Sequence, residues 1–487
     1  EICACLVGSE MCIRDRGYGG PIRDTGVPNV FNVFDLDNAR KRATQEGWEE
    51  MTQSIFASAE IGWKSMLYLT LTGRNDWASQ LKGSNPTSFF YPSVGLSAVI
   101  SEMVTLPKAI DYLKVRGSFS SVGTPYPRFL VQPTYSYDPT KQDWNAKTHY
   151  PIGKLKPERT DSWEIGVDGT FFKDFKVSGS FYYANTYNQT FDPKITVSSG
   201  YSTLYVQTGY VRNLGVEGLL SYGHTWRDFG WNSNFTFSWN KNKIVELVKD
   251  YVHPETGEIV NKDRLELKGL GYTKFILKEG GTLGDLYTNA DFIRDDKGYI
   301  QIDKNGDVAK TDNLPDIKLG SVFPKANLAW NNSFSYKGIY VGFQLSARLG
   351  GIVYSATQAA LDQYGVSEAS AAARDRGGVL VNGRSWVNAQ QYYEIVATSS
   401  GLPQYYTYSA TNLRLQEAHI GYTIPRKWLG NICDINVSVV GRNLWMIYCK
   451  APFDPEAIAT TNNFYQGIDY FMMPSTRNFG FNVKINF

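Results

Sequence analysis

The last ten residues of the chain alternate strictly between apolar and polar side chains. Phe479, Phe481, Val483, Ile485 and Phe487 hold the apolar positions, and glycine, asparagine or lysine holds the positions between them. Successive side chains of a β-strand point to opposite faces, so this segment has one apolar and one polar face. About nine to eleven residues is also the length that a tilted strand needs to cross a bilayer. The end of the chain therefore predicts one strand of a membrane-spanning β-barrel.

The same alternation recurs along the chain, in residues 67–72, 162–171, 231–240 and 339–349. In each segment one set of positions is apolar and the other carries charged, amide or hydroxyl side chains. Such side chains need water, so the second face must line a wet interior and not a dry core. Counting segments of spanning length gives about thirteen strands. The predicted fold is all-β: the C-terminal portion of a larger antiparallel transmembrane β-barrel.

The connections between these segments alternate between short and long. The short ones lie near residues 64–65, 101–111, 173–174, 227–230, 337–338 and 425–431, and the long ones near 75–88, 122–160, 192–209, 245–325, 350–410 and 446–476. Outer-membrane barrels have short periplasmic turns and long extracellular loops. The alternation therefore predicts a periplasmic C-terminus.

One segment departs from strict alternation. Leu413 and Leu415 share a phase, whereas Ala418, Ile420 and Tyr422 take the opposite one. An extra residue in one strand produces this change of phase, so we predict a β-bulge near Gln416 and Glu417.

The N-terminal part of the chain differs from the rest in its pattern of residues. Residues 1–16 have neither the basic start nor the apolar run of a signal peptide, and we interpret them as a non-native or disordered tail. Counting strands back from the C-terminus makes residues 17–53 the remnant of an extracellular loop. Residues 54–487 are then expected to form the C-terminal part of the barrel. A chain that starts within a loop is expected to be truncated at its N-terminus. Cys3, Cys5, Cys12, Cys433 and Cys449 lack zinc-type spacing, and we assign no disulfide.

Composition excludes some classes of protein. The 49 Lys and Arg nearly balance the 47 Asp and Glu, which disfavours a nucleic-acid binder. The 32 Tyr, 26 Phe and 12 Trp favour strands and membrane interfaces. The chain has no run of 18 apolar residues, so a transmembrane helix is not expected.

Particular motifs point to a family. They are Tyr91-Pro-Ser-Val-Gly-Leu-Ser97, Leu113-Lys-Val-Arg-Gly-Ser-Phe-Ser-Ser-Val-Gly123, Lys156-Pro-Glu-Arg-Thr-Asp-Ser-Trp-Glu-Ile-Gly-Val-Asp168, Asn213-Leu-Gly-Val-Glu-Gly218, Leu413-Arg-Leu-Gln-Glu-Ala-His-Ile-Gly-Tyr-Thr-Ile-Pro425, Gly441-Arg-Asn-Leu-Trp445, Asp454-Pro-Glu456 and Pro474-Ser-Thr-Arg-Asn-Phe-Gly-Phe481. Taken in order, they make nearly everything after residue 50 resemble the C-terminal part of SusC/RagA-type TonB-dependent outer-membrane transporters of Bacteroidetes.

This resemblance implies parts and partners that the chain itself does not carry. It implies an N-terminal plug, a TonB box and early barrel strands, a SusD-like surface lipoprotein over the extracellular mouth, and TonB-ExbB-ExbD as the energy source. It also implies outer-membrane lipid as the surroundings and no nucleic-acid partner. The implied function is import of a bulky nutrient, an oligosaccharide first and a peptide second.

Catalytic motifs are missing from the sequence. His149, His224, His253 and His419 are scattered, with no HExxH motif or closely spaced metal pair. We therefore expect no enzyme and no cofactor. The alternative is a secreted all-β carbohydrate-binding or adhesion protein, or a glycan-active enzyme, which would need apolar inner faces.

A weak candidate for a calcium site lies in the longest loop, at Asp303, Asn305, Asp307 and Asp312. It lacks the glycine at position six and the glutamate at position twelve of an EF-hand. We favour an Asn-Gly turn with flanking acids.

Aromatic residues in the long loops are the best ligand candidates, because a flat ring stacks on a sugar or packs a peptide. They are Trp144, Tyr150, Trp386, Tyr392, Tyr393, Tyr405, Tyr406 and Tyr408. For any one of them, packing between loops or against a lid protein is the favoured interpretation. The inward charges Arg116, Glu164, Asp168, Arg348 and Arg442 are expected to pair along the barrel wall. Seven tryptophans are expected at or near strand ends as an interface girdle: Trp63, Trp163, Trp231, Trp239, Trp330, Trp428 and Trp445.

The terminal Phe487 resembles the C-terminal aromatic residue that the barrel assembly machinery recognises. Deleting Phe487 is expected to lower the amount of receptor inserted in the outer membrane. The measurement is the amount of folded, heat-modifiable barrel in membrane fractions, and an unchanged amount would contradict the prediction.

Overall fold

The computed structural model describes residues 2–19, 42–82, 86–127, 130, 136–138, 143–145, 149–150, 156–191, 203–204, 206–207, 209–252, 257, 259–460 and 466–486. For residues 2–19, 42–48, 251, 260 and 268, and the described parts of 136–150 and 190–207, it describes the backbone alone. Most of the described backbone lies in strands of one large sheet. The all-β prediction is confirmed.

Fourteen strands form this sheet in chain order, each antiparallel to the next. They are β1 Ile2–Gly19, β2 Arg42–Trp63, β3 Leu67–Ala78, β4 Ser88–Val99, β5 Ile110–Thr124, β6 Glu158–Phe171, β7 Phe175–Tyr187, β8 Tyr210–Trp226, β9 Phe229–Glu246, β10 Ala326–Tyr336, β11 Ile339–Leu349, β12 Asn412–Ile424, β13 Asp434–Cys449 and β14 Asn478–Asn486. The first and last strands, β1 and β14, are its edges within the described residues.

The N-terminal strands begin earlier than predicted. Strand β1 pairs with β2 from Ile2 opposite Ala59 to Gly19 opposite Arg42, although we set residues 1–16 apart from the fold. Strand β2 starts at Arg42, so residues 42–53 are strand and not loop. With β1, the sheet has one strand more than the predicted count of about thirteen. The origin of residues 1–16 stays a prediction.

Short and long connections alternate as predicted, except that residues 79–87 and 100–109 form two successive connections of similar length. Residues 64–66, 172–174, 227–228 and 337–338 join neighbouring strands at one end, whereas residues 247–325 and 350–411 join them at the other. Lys337 and Gly338 have φ angles of 47° and 89°. Positive φ at both central residues is typical of a type I′ turn, whose twist matches that of the flanking strands.

The register separates the two faces of the sheet. Residues directly opposite one another share a face, and one row across seven neighbouring strands reads Tyr68, Ser97, Arg116, Gly166, Ser180, Glu217 and Ser238. The alternate positions carry exposed apolar side chains such as Ile165, Val439 and Phe481. The polar row is the inner face and the apolar side chains form the outer face, as the sequence predicts.

Two polar residues lie on the apolar outer face, where they accept hydrogen bonds from tryptophan side chains. The indole N–H of Trp330 donates to Ser233 Oγ at 2.9 Å, and that of Trp231 donates to Asn332 Oδ1 at 3.2 Å. Lipid offers no hydrogen-bond partner, so these side chains satisfy indoles that would otherwise lie unpaired. Trp330 itself lies in the middle of β10, not at a strand end as we expected.

The bulge near Gln416 is confirmed. Gln344 pairs with Glu417 and Leu345 pairs with Leu415, so Gln416 has no partner on β11. The pairing with β13 skips the same residue. The bulge keeps Arg414 and Glu417 on the inner face although three positions separate them.

Three of the long connections pack together at the long-loop end of the sheet. Their shared apolar core includes Phe275 and Leu286 from the first, Val396 and Tyr406 from the second, and Ile468 from the third. We call the described parts of residues 247–325, 350–411 and 450–477 the loop body. Its packing joins segments that are far apart in the sequence.

Short elements complete the fold. The helices are α1 Ile100–Met103, α2 Ala356–Gln363, α3 Glu368–Asp375 and α4 Ala389–Val396, and 3-10 turns cover Ser79–Leu81, Pro403–Tyr406 and Arg426–Leu429. The short strands are Ser136–Asp138, Asp143–Asn145, His149–Tyr150, Thr190–Phe191, Thr203–Leu204, Val206–Gln207, Val248–Val252, Ile259–Lys262, Arg264–Lys268, Thr273–Lys278, Asp285–Thr288, Asp291–Phe292, Lys310–Thr311, Ile317–Ser321, Ile352–Ser355, Val379–Val381, Ser385–Val387, Thr407–Ser409 and Ile468–Asp469. None of the helices in the described ranges is both long enough and apolar enough to cross a membrane.

Candidate functional site

The inner wall of the sheet carries paired charges. Arg116 on β5 contacts Asp168 at 2.6 Å and Glu164 at 3.4 Å, both on β6. Ser178 on β7 donates to the second oxygen of Asp168 at 2.6 Å. The predicted wall ion pairs are confirmed for these three charges, which hold neighbouring strands together.

The other two inward charges, Arg442 and Arg348, have different kinds of partner. Arg442 pairs with Glu417 at 2.9 Å, as predicted. Arg348 instead donates to the backbone carbonyl of Val322 at 2.9 Å, with no carboxylate within ion-pair distance among the described residues. The prediction of an ion pair is wrong for Arg348, because its strand ends beside the loop body and the side chain reaches that backbone.

A buried arginine on β12 holds the third long connection to the wall. Arg414 contacts the two oxygens of Asp454 at 2.8 and 3.1 Å and Glu456 at 3.4 Å, and its side chain is 6% exposed. Burial by itself would raise the pKa of Asp454, but hydrogen bonds from Arg414 and from the Glu456 backbone N–H outweigh it. The pKa of Asp454 therefore lies below its usual value. The sequence places Arg414 and Asp454 in recognised motifs but does not show that they meet.

Four of the predicted ligand residues lie around the core of the loop body. Tyr406 is buried, and its hydroxyl donates to Asp362 Oδ2 at 2.9 Å. Tyr392 and Tyr393 pack edge to face at 5.4 Å, and burial raises the pKa of Tyr392 to about 12. Tyr405 packs on Phe292 at 5.2 Å while its hydroxyl accepts a hydrogen bond from Arg294. Ligand contact by these residues stays a prediction.

The remaining candidates do not join this group. Tyr408 packs against Phe453 with ring centroids 5.6 Å apart, and Trp386 is 57% exposed in the strand Ser385–Val387. The side chains of Trp144 and Tyr150 lie outside the described residues.

A cleft of about 540 Å³ opens in the surface of the loop body. Tyr364, Tyr470 and Phe471 are among its aromatic lining residues, and all three are exposed, Tyr364 by 75% and Phe471 by 60%. Small residues of α2 and its surroundings, and the polar Gln363, Thr398 and Ser399, line the rest, and none of the described lining residues is Asp, Glu, Lys or Arg. We call it the aromatic cleft.

The backbone at this cleft is fixed in an unusual conformation. Phe471 has a φ of 51°, and its N–H donates to Thr357 Oγ1 at 2.6 Å. Asp469 beside it accepts hydrogen bonds from Ser355 at 2.6 Å and Thr357 at 3.0 Å. A left-handed conformation is unfavourable for a bulky residue and is kept where surrounding contacts enforce it. These contacts hold the ring of Phe471 outward.

In the acidic turn that is the weak candidate for a calcium site, the carboxylate of Asp303 bonds to the backbone of the turn itself. Asp303 Oδ1 accepts hydrogen bonds from the N–H groups of Asn305 at 2.8 Å and Asp307 at 2.9 Å, and Gly306 has a φ of 89°. Asp312 accepts from the hydroxyl of Tyr272 at 2.8 Å. Among the described residues no three His, Cys, Asp or Glu side chains could together hold a metal ion. Whether the turn binds calcium stays a prediction.

The apolar outer face, the polar inner face and the alternation of short and long connections define an outer-membrane β-barrel protein. A family model described as TonB dependent receptor-like, beta-barrel matches residues 14–444. The chain belongs to this family, and the resemblance to the SusC/RagA type is confirmed.

Named relatives agree with this assignment. TonB-dependent receptor P3 of Formosa agariphila is 24% identical over 463 residues, which cover 88% of this chain and 45% of that protein. TonB-dependent receptor SusC of Bacteroides thetaiotaomicron is 24% identical over 246 residues, 45% of this chain and 24% of SusC. The RagAB peptide importer in its open-open state has a similar fold, with a TM-score of 0.72 at 16% identity, over all of this chain and 52% of that one. The chain thus spans about half the length or less of these proteins.

Proposed function

We propose that the chain is the C-terminal barrel part of a TonB-dependent importer of a bulky nutrient, with a neutral oligosaccharide as the first choice of substrate. The observation that carries this choice is the aromatic cleft. Its exposed rings offer flat faces to the C–H groups of a sugar, and its hydroxyl and amide groups can hydrogen-bond sugar hydroxyls. Free energy from TonB-ExbB-ExbD would drive release of the bound nutrient into the periplasm.

The lining of the cleft favours a sugar over a peptide. A peptide brings charged termini, which bind best to charged partners. Among the residues that the structure describes, none that lines the cleft is Asp, Glu, Lys or Arg. A peptide remains the second candidate, because a solved structure of similar fold is a peptide importer.

A SusD-like surface lipoprotein is the proposed partner at this end of the barrel. Val366 and Met473 are exposed by 69% and 83%, close in sequence to the cleft residues Tyr364 and Phe471. Exposed apolar side chains grouped on one surface are typical of a protein interaction site. The lipoprotein would close over the cleft and keep the nutrient from diffusing away.

The test is binding of neutral oligosaccharides and of peptides to the full-length receptor by titration calorimetry. Replacing Phe471 or Tyr364 by alanine is expected to weaken oligosaccharide binding roughly fivefold to tenfold for each ring. The control is Tyr299→Ala, which removes an exposed tyrosine that packs on Arg384 outside the cleft. Unchanged binding in both cleft variants would contradict the role of the cleft. Binding of peptides alone would favour the second candidate.

A further inference from the structure

Three cations lie together on the outer face of the sheet near the long-loop end. Arg212 on β8 is directly opposite Lys243 on β9, and Lys241 precedes Lys243 by two residues on the same face. Lys241 and Lys243 alternate with the inward Asn240 and Asn242, so they share the outer face with Trp239. Arg212 lies on the same face because it is opposite Lys243. We call Arg212, Lys241 and Lys243 the basic patch.

The basic patch lies where the apolar band of the barrel ends. On β9 the outward positions from Phe229 to Trp239 are aromatic, apart from Ser233, and Lys241 follows them. Ten steps of about 3.3 Å give a length of about 33 Å. A tilt of roughly 35–45° shortens this to about 25 Å, the height of the apolar band of such barrels. Lys241 and Lys243 therefore come just beyond the hydrocarbon, at the level of lipid headgroups.

Uncharged groups hold the guanidinium of Arg212 in place. It lies over the rings of Tyr183 and Tyr210, at 5.1 and 5.3 Å from their centroids. It also donates to the Tyr210 hydroxyl and, at 3.4 Å, to Asn185 Oδ1. The arginine is thus positioned in advance, yet none of these partners neutralises its charge.

Acidic side chains on this part of the outer face are paired with other cations. Asp161 accepts hydrogen bonds from Arg159 at 2.9 Å and Ser121 at 2.6 Å, and Glu246 lies 3.9 Å from Lys249. Within the described residues, no carboxylate lies within ion-pair distance of Arg212, Lys241 or Lys243. Both lysines are exposed. The basic patch therefore presents three positive charges without a protein counter-ion.

We propose that the basic patch binds the phosphate groups of an anionic lipid in the outer leaflet. Phosphate oxygens accept charge-assisted hydrogen bonds from arginine in a fork geometry, and lysines add point charges. The acyl chains of the same lipid would lie along Trp239 and the apolar face below. Such a lipid would anchor this side of the barrel at its outer interface, whatever nutrient the receptor imports.

The test compares lipid retention by full-length receptors. Receptor in detergent is mixed with micelles of phosphatidylcholine and bisphosphorylated lipid A, repurified, and its bound lipid A is counted by mass spectrometry. The variant R212Q/K241Q/K243Q is expected to retain roughly a hundredfold less lipid A, since each of the three cations near a membrane contributes about fivefold. The control K262Q/K297Q/K304Q removes three exposed lysines of the loop body and is expected to retain as much as the wild type.

Equal retention by R212Q/K241Q/K243Q and the wild type would overturn the proposal. Displacement of lipid A by inorganic phosphate would overturn the assignment to lipid, because a site for the free anion does not need acyl chains. Heat-modifiable migration checks that each variant is folded. If the triple variant does not fold, Lys241→Gln and Lys243→Gln replace it, each with an expected loss of about fivefold.

Discussion

Deleting Ala418 is expected to lower assembly of the folded barrel strongly, whereas deleting Gln416 is expected to be tolerated. Gln416 is the unpaired residue of the bulge in β12, and Ala418 is paired on both sides. Without Gln416, Arg414 and Glu417 would lie two positions apart, so strict alternation would keep both on the inner face. Without Ala418, either Glu417 or the residues that follow it would change face, so Glu417 or His419 would turn toward lipid. A charge on the lipid face costs about 2–4 kcal/mol for arginine near the midplane, and somewhat less for glutamate.

The measurement is the heat-modifiable, protease-resistant fraction of the full-length receptor in outer membranes. The matched control is the deletion of Gln416, which also removes one residue from β12 but keeps the paired residues in phase. We expect close to wild-type amounts of folded barrel for this control. Equal loss of folded barrel in both deletion variants would show that the bulge does not set the phase of β12.

Replacing Arg414 by methionine is expected to detach the third long connection from the wall. The change leaves the carboxylate of Asp454 buried without its bidentate partner, and Glu456 also loses a contact. Removing one member of a buried ion pair costs about 3–5 kcal/mol, because the other charge stays desolvated. Hydrogen exchange and limited proteolysis of residues 450–477 in the full-length receptor would measure the loss.

The matched control is Arg442→Met on the neighbouring strand. Arg442 pairs with Glu417 at 2.9 Å, but its side chain is 68% exposed. Water and salt screen such a pair, so its loss is expected to cost less than about 1 kcal/mol. Similar effects of the two substitutions would show that burial of Arg414 does not decide the strength of the contact.

The same contact gives the loop attachment a pH dependence. The folded state holds the pKa of Asp454 below its ordinary value of 3.8. The stabilisation is therefore fully present above that value and is lost as the pH falls through the lower, folded pKa. Protection of residues 450–477 from exchange is expected to stay constant from neutral pH down to about pH 4 and to fall below it. In Arg414→Met this acid-dependent step should disappear.

Much of the barrel follows from local pattern. The alternation in Asn478–Asn486 and the change of phase at Gln416 are visible within a few residues, because side-chain direction in a strand depends on position alone. The turn Lys337-Gly338 is likewise local. The early start of β2 does not follow from the sequence, because residues 42–53 show no clean alternation of this kind.

The sequence by itself determined the class of protein, its two faces, the direction of its strands and its family. Only the tertiary structure decided which loop aromatic residues are exposed. Tyr406 is buried against Asp362, whereas Phe471, not among the predicted ligand residues, points outward beside Tyr364. The reason is that exposure in the loop body depends on contacts between segments about a hundred residues apart, such as Ser355 with Asp469. No periodicity within a single segment records such contacts.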